Sequence, residues 1–134
     1  MKRYTLETSG NGLTDITEEI KDAVAASGVT AGLVTVMVPH TTAAVTVYSF
    51  PDPLGLDDMN QEIGRLIPTR VDFLHQHDTP QDAAGHIKSA LIGINATFII
   101  DNRELVLGHS QKIYFFEFDG PRSRQFYVQV AGSA

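Results

Sequence analysis

The fold turns on the stretch Ala31-Gly32-Leu33-Val34-Thr35-Val36-Met37-Val38-Pro39-His40-Thr41-Thr42-Ala43-Ala44-Val45-Thr46-Val47-Tyr48. Ala31 to Met37 is rich in β-branched residues and apolar on both alternating faces, the pattern of a central strand covered on both sides. Ala43 to Tyr48 repeats the pattern, and the two runs are expected to pair across the corner between them. That corner carries an imidazole and two hydroxyls, His40, Thr41 and Thr42. Strand ends place such groups at a sheet rim, held rigidly yet open to solvent.

Upstream, Tyr4 to Thr8 alternates as a strand does and ends at Ser9-Gly10-Asn11-Gly12. Asp15 with Glu18 three residues on is a capping-box variant, opening a helix with Ile16, Ile20, Ala23 and Val24 on one face. Gly28 closes it.

Downstream, Phe50-Pro51-Asp52-Pro53-Leu54-Gly55 reads as a loop of breakers. A helix is expected from Asp57 and Asp58, with Met59, Ile63, Leu66 and Ile67 on its apolar face, ended by Pro68. Thr79-Pro80-Gln81-Asp82 starts another, with Thr as N-cap and Pro at the first helical position, running to Leu91 or Ile92 before Gly93.

The last third is β. Ala96 to Ile100 and Glu104 to Leu107 flank Asp101-Asn102-Arg103, a hairpin signal, and Ile113 to Phe118 and Gln125 to Val130 flank a second across Asp119 to Ser123. Six to eight strands and about three helices without strict βαβ alternation specify an α+β fold. A largely antiparallel sheet or sandwich is expected, in a single domain over residues 1–134.

Composition narrows the function. Ten Lys plus Arg against sixteen Asp plus Glu leave a net charge of -6, a poor footprint for nucleic acid. With no cysteine, disulfides and thiolate chemistry are excluded, and any metal must take His, carboxylate or water. No apolar signal core or membrane-length run is present, so a cytoplasmic protein without membrane contact is expected. The phosphate-binding loop, the dinucleotide fingerprint and the serine elbow are missing too.

The chemistry therefore rests on imidazole. His75-Gln76-His77 and the helical His86 suit a divalent cation, with His40 or a carboxylate completing the set; Asp78 and Asp82 lie in the same segment. His40 beside Thr41 and Thr42 equally suits an acid/base group next to hydroxyls that hold an anion, or hydroxyls that satisfy backbone at a corner. Lys88 leaves the helix about 200° round from His86. Gln111 and Glu117 share a strand face by even spacing. Arg122 and Arg124 bracket a turn, and one of them is expected either to pair with Glu117 or to bind phosphate or carboxylate.

Four ordered motifs carry a resemblance: V-P-H-T-T-A-A at Val38 to Ala44, D-A-A-G-H-I-K at Asp82 to Lys88, L-G-x-x-Q at Leu107 to Gln111, and E-F-D-G-P-R at Glu117 to Arg122. Over nearly its whole length the chain resembles the YjbQ family, also called the secondary thiamine-phosphate synthase family. The resemblance implies a compact α+β homotrimer with polar residues gathered near subunit contacts. It also implies a weak thiamine-phosphate synthase activity on an anionic, phosphorylated small molecule; the histidines and a diphosphate leaving group together lead to the expectation of a divalent metal, Zn²⁺ or Mg²⁺. Matched by motif, the catalytic candidates are His40, Thr41, Thr42, His86, Lys88 and Glu117. Asp52, Gln111 and Arg124 are the substrate or anion contacts, and His40, His75 and His86 the metal ligands. The alternative is a non-catalytic metal- or anion-binding homotrimer. The chain departs from the family pattern at Tyr48-Ser49, where an Asn-Glu pair is usual, at His109-Ser110 in place of Thr-Trp, and in its extra His77.

Overall fold

The computed structural model describes residues 1–75 and 78–132. Along the chain run β1 (Lys2–Glu7), β2 (Gly12–Asp15), α1 (Thr17–Ser27), β3 (Ala31–Met37) and β4 (Ala43–Ser49). There follow α2 (Pro53–Leu66), α3 (Pro80–Ile92), β5 (Asn95–Asp101), β6 (Glu104–Leu105), β7 (Gln111–Glu117) and β8 (Ser123–Gly132). The strands form two antiparallel sheets, one ordered β1-β8-β3-β5-β6 and the other β2-β7-β4. Among the described residues no helix is long and apolar enough to cross a membrane.

Two pairings differ from those the sequence suggests. β3 does not pair with β4: one of its edges is taken by β5 and the other by β8, so the chain turns at His40 and delivers β4 to the other sheet. Nor do β7 and β8 form a hairpin. β7 lies between β2 and β4, and β8 between β1 and β3, so Asp119 to Ser123 crosses between sheets. The expected hairpin at Asn102-Arg103 is present, with both residues at positive φ and Asp101 opposite Glu104.

The inner faces meet in the main core. Val34, Val36, Ile100, Phe126 and Val128 come from the larger sheet, and Val45, Ile113 and Phe115 from the smaller. Ile16, Ile20 and Val24 of α1 close the core. The smaller sheet buries its other face as well: Ala44, Phe116 and Phe118 pack with Met59 and Ile63 of α2 and Ile92 of α3. Burial on both faces explains the unbroken apolar run from Ile113 to Phe116. The outer face of the larger sheet stays uncovered, leaving Leu33, Met37 and Ile99 exposed.

Helix ends follow local chemistry. α3 starts at Thr79, whose hydroxyl accepts from the Asp82 N–H at 3.0 Å. α2 starts four residues earlier than Asp57, because Asp52 accepts from the Leu54 N–H and Pro53 occupies the first helical position. At α1 the Asp15 carboxylate accepts from the Thr17 N–H and hydroxyl rather than closing a box with Glu18, and Gly28 ends the helix at φ 70°.

Candidate functional site

The His40–Thr42 corner is held by strand β8. The Gln125 N–H donates to His40 Nε2 at 2.9 Å, and Arg124 Nη2 donates to the Thr42 hydroxyl at 2.7 Å and the Thr42 carbonyl at 3.3 Å. Gln125 lies just beyond the end of the β3–β8 ladder, so His40 satisfies a backbone donor that β3 no longer reaches. Burial pushes the His40 pKa below its ordinary value and the Arg124 charge adds to this, with Glu117 partly opposing. Accepting an N–H at Nε2 fixes the proton of the neutral ring on Nδ1.

Between these anchors, Thr41 turns its carbonyl toward α3. His86 Nδ1 lies 3.2 Å from the Thr41 oxygen, and its Nε2 lies 3.1 Å from Asp82 Oδ2. Asp82 and His86 are one helical turn apart, which places both on one face of α3. The His75 ring stands edge-on to His86, with centroids 5.1 Å apart. One ligand atom from each of His75, Asp82 and His86 lies within 4.8 Å of the others.

The contacts of His86 carry chemical information. A carbonyl oxygen can only accept, so a proton on Nδ1 is donated to Thr41. In the neutral ring Nε2 then bears a lone pair aimed at an ionised carboxylate. With the proton on Nε2 the ring donates to Asp82 instead; with it on Nδ1, Nε2 and Asp82 Oδ2 are two acceptors 3.1 Å apart, an arrangement suited to a shared cation. A ring N–H donated to a backbone carbonyl is the usual way a metal-ligating histidine is oriented.

The remaining candidates are spread through the structure. Glu117 is buried and paired with Arg124; burial pushes its pKa up, but hydrogen bonds from Arg124, Thr8 and the Asp119 N–H outweigh this and hold it below the usual carboxylate value. Lys88 is also buried, its ammonium 5.8 Å from the Phe118 ring centre, and burial lowers its pKa. Asp52 caps α2. Gln111 is exposed at the opposite end of β7 from Glu117, accepting from the Gly108 N–H at 2.7 Å. His40 lies outside the His75–Asp82–His86 group, so the carboxylate is the third donor the fold brings to the two imidazoles. Gln76 and His77 lie outside the described residues.

Asp82 heads the D-A-A-G-H-I-K motif but is not among the site candidates matched to it, although its spacing of four from His86 is the signal that puts both on one helix face. It also approaches Asp78 and Asp119, whose charges are met by Arg122 at 3.8 and 2.8 Å. A cleft of about 620 Å³ opens over the His75–His86 pair, lined by Arg70, Asp72, Phe73, Leu74, Ala83 and Ile87.

This is an α+β sandwich carrying a His-Asp-His cluster between its third helix and a strand corner. The family model described as UPF0047 protein YjbQ-like matches residues 2–133, and the chain belongs to that family. It is 39% identical to a UPF0047 protein of Methanocaldococcus jannaschii over 97% of this chain and 93% of that one. It is 36% identical to the UPF0047 protein YugU of Bacillus subtilis over 93% of each. The crystal structure of an uncharacterized YjbQ/UPF0047 family protein from Clostridium acetobutylicum superposes with a TM-score of 0.92 at 38% identity, covering 98% of this chain and 100% of that one. A hypothetical protein from Aeropyrum pernix gives a TM-score of 0.92 at 30% identity, with 98% of each covered.

Proposed function

We propose that the chain is a metal-dependent enzyme acting on an anionic small molecule, with His75, Asp82 and His86 as the ligands of one divalent cation. The observation that carries this reading is the convergence of one ligand atom each from His75, Asp82 and His86 within 4.8 Å of one another. Two imidazoles and a carboxylate suit Zn²⁺ or a similar ion and leave coordination positions free for substrate or water. A cation there supplies Lewis acidity and charge for a phosphate or carboxylate. Arg70 in the adjoining cleft, its Nε paired with Asp72 at 3.1 Å, brings a guanidinium toward the same anion. Thiamine-phosphate formation, joining a pyrimidine diphosphate to a thiazole phosphate, belongs to this class, because a divalent ion offsets the charge of the leaving diphosphate. A homotrimer fits the uncovered apolar residues Leu33, Met37 and Ile99, and solution mass measures it directly.

Elemental analysis of untagged, unchelated protein beside His86→Gln tests the reading. One metal per chain, lost in the variant, together with metal-dependent turnover of a phosphorylated substrate, is the expected result. Stoichiometric metal without turnover favours a binding protein. Protein free of metal, with dialysis against Zn²⁺, Mn²⁺ and Mg²⁺ showing no retention, overturns the metal reading and leaves the His86–Asp82 hydrogen bond as the chemistry of the site.

A further inference from the structure

His86 is shared by two clefts. On one side lies the 620 Å³ cleft with Arg70 and His75; on the other lies a second of about 300 Å³, lined by His40, Thr41, His86, Ser89, Ala90 and Ile94. The second differs from the first in kind: apart from the shared imidazole of His86, it is lined by no residue that is charged at neutral pH. Its size lies at the lower end of small-molecule sites, room for one compact group rather than a whole extended ligand.

Its polar groups are few, and most are already committed. The Ser89 hydroxyl donates to the Ala43 carbonyl at 2.7 Å, and the Thr41 carbonyl meets His86 Nδ1. His40 Nε2 is occupied by the Gln125 N–H. What is left is the Nδ1–H of a neutral imidazole held in place by a backbone contact, beside the exposed Thr41 hydroxyl, against the apolar Ala90 and Ile94. A neutral imidazole fixed as a donor polarises an acceptor without adding charge. An anion finds no uncommitted cation here, and a cation finds no carboxylate.

We infer that this pocket is a second subsite, which takes an uncharged, largely apolar group bearing one hydrogen-bond acceptor, a carbonyl oxygen or a ring nitrogen, with His40 Nδ1–H as its donor. This rests on the proposed function in one respect: the group belongs to a two-part substrate whose anionic half lies across His86 at the metal cluster. The substrate class is thus an anion joined to, or reacting with, a neutral acceptor-bearing ring or chain. His86, the wall between the halves, stands where the bond between them is made or broken.

The test uses two probes and one filled pocket. N-methylpyrrolidone, an uncharged carbonyl acceptor, is titrated into ¹⁵N-labelled protein, and inorganic phosphate into a parallel sample. N-methylpyrrolidone is expected to shift the His40 ring N–H and the amides of Thr41, Ser89 and Ile94, and phosphate to leave these in place. Ala90→Phe, at an exposed helix position, fills the pocket and is expected to weaken N-methylpyrrolidone binding at least tenfold with metal content unchanged; Ile94→Ala, which widens the pocket, is expected to retain binding. Shifts absent from His40 and Thr41, shifts equal in Ala90→Phe, or phosphate competing for the same residues would overturn the subsite. Protein that retains no Zn²⁺, Mn²⁺ or Mg²⁺ on dialysis yet binds N-methylpyrrolidone at His40 supports the subsite while removing the metal reading.

Discussion

Arg124 forks onto Glu117 in the protein interior, its Nε donating to Oε1 at 2.8 Å and its Nη2 to Oε2. The two side chains are 6% and 1% exposed, so the pair is desolvated on both sides. Glu117 also accepts from the Thr8 hydroxyl at 2.8 Å and from the N–H groups of Phe118 and Asp119 at 3.1 Å. The same guanidinium holds Thr42, while the next residue, Gln125, holds His40. One strand therefore fixes both ends of the corner that presents the Thr41 carbonyl to His86.

Removing one partner strands the other. Arg124→Leu leaves a buried carboxylate without its cation and is expected to cost about 3–5 kcal/mol in urea unfolding at neutral pH. The pH dependence has a definite sign. Because the folded pKa of Glu117 lies below its unfolded value, its contribution is complete above the ordinary carboxylate pKa and is lost as pH falls through the folded one. Glu117→Gln is expected to flatten this acid limb of the stability curve. An unchanged acid limb would place the proton uptake elsewhere.

Asp82→Asn separates ligand chemistry from scaffold. The helix start depends on the Asp82 backbone N–H donating to Thr79, which the substitution leaves intact. Loss of a first-turn carboxylate from α3 is expected to cost less than about 1 kcal/mol. Retention of Zn²⁺ in equilibrium dialysis is expected to fall at least about tenfold, because Asn supplies a neutral oxygen where the site has a charged one. Equal retention by variant and parent would remove Asp82 from the ligand set.

The parts of this fold legible in the sequence are those that local chemistry decides. The Thr79 hydroxyl cap with Pro80 opening α3, Gly28 closing α1 and Asn102 entering the turn at positive φ each follow from local chemistry. Strand pairing is different, because it depends on which edges are free. Nothing within Ala31 to Tyr48 says that β5 and β8 occupy both edges of β3. The site divides the same way. Asp82 and His86 lie one turn apart on one helix, while the Thr41 contact of His86 spans 45 residues and exists only once the sheets have packed. For Lys88 the helical angle correctly turns it away from His86, yet that side of α3 is buried beside Phe118 rather than in water.

Lys88→Met is expected to stabilise the protein. The lysine is 8% exposed, and no carboxylate among the described residues pairs with its ammonium. Methionine keeps the stem's packing and removes the cost of burying charge, a gain of roughly 1 kcal/mol at neutral pH. The sign with pH follows from burial, which lowers the folded pKa below the unfolded one. The penalty is full below the folded pKa and disappears as pH rises toward the unfolded value, so the parent should gain stability on the alkaline side while Lys88→Met does not. Melting curves from neutral to alkaline pH measure the convergence; parallel curves would show that the ammonium costs nothing in the fold.

Two glycines should respond to alanine in opposite directions. A Cβ on Gly32 would collide with the Ala131 carbonyl oxygen and lie 2.9 Å from the Gly132 Cα, both backbone atoms of the neighbouring strand. No side-chain rotation relieves that, so β8 must move off β3 near Gly132, at a cost of about 2–3 kcal/mol. Faster amide exchange at Ala131 in Gly32→Ala would locate the separation. Gly64 lies inside α2, where an added Cβ meets nothing within 4 Å. Gly64→Ala only removes backbone freedom from the unfolded chain and is expected to add about 0.5–1 kcal/mol. Denaturant midpoints moving the same way in both variants would mean that the close approach of β8 to Gly32 is not what limits that position.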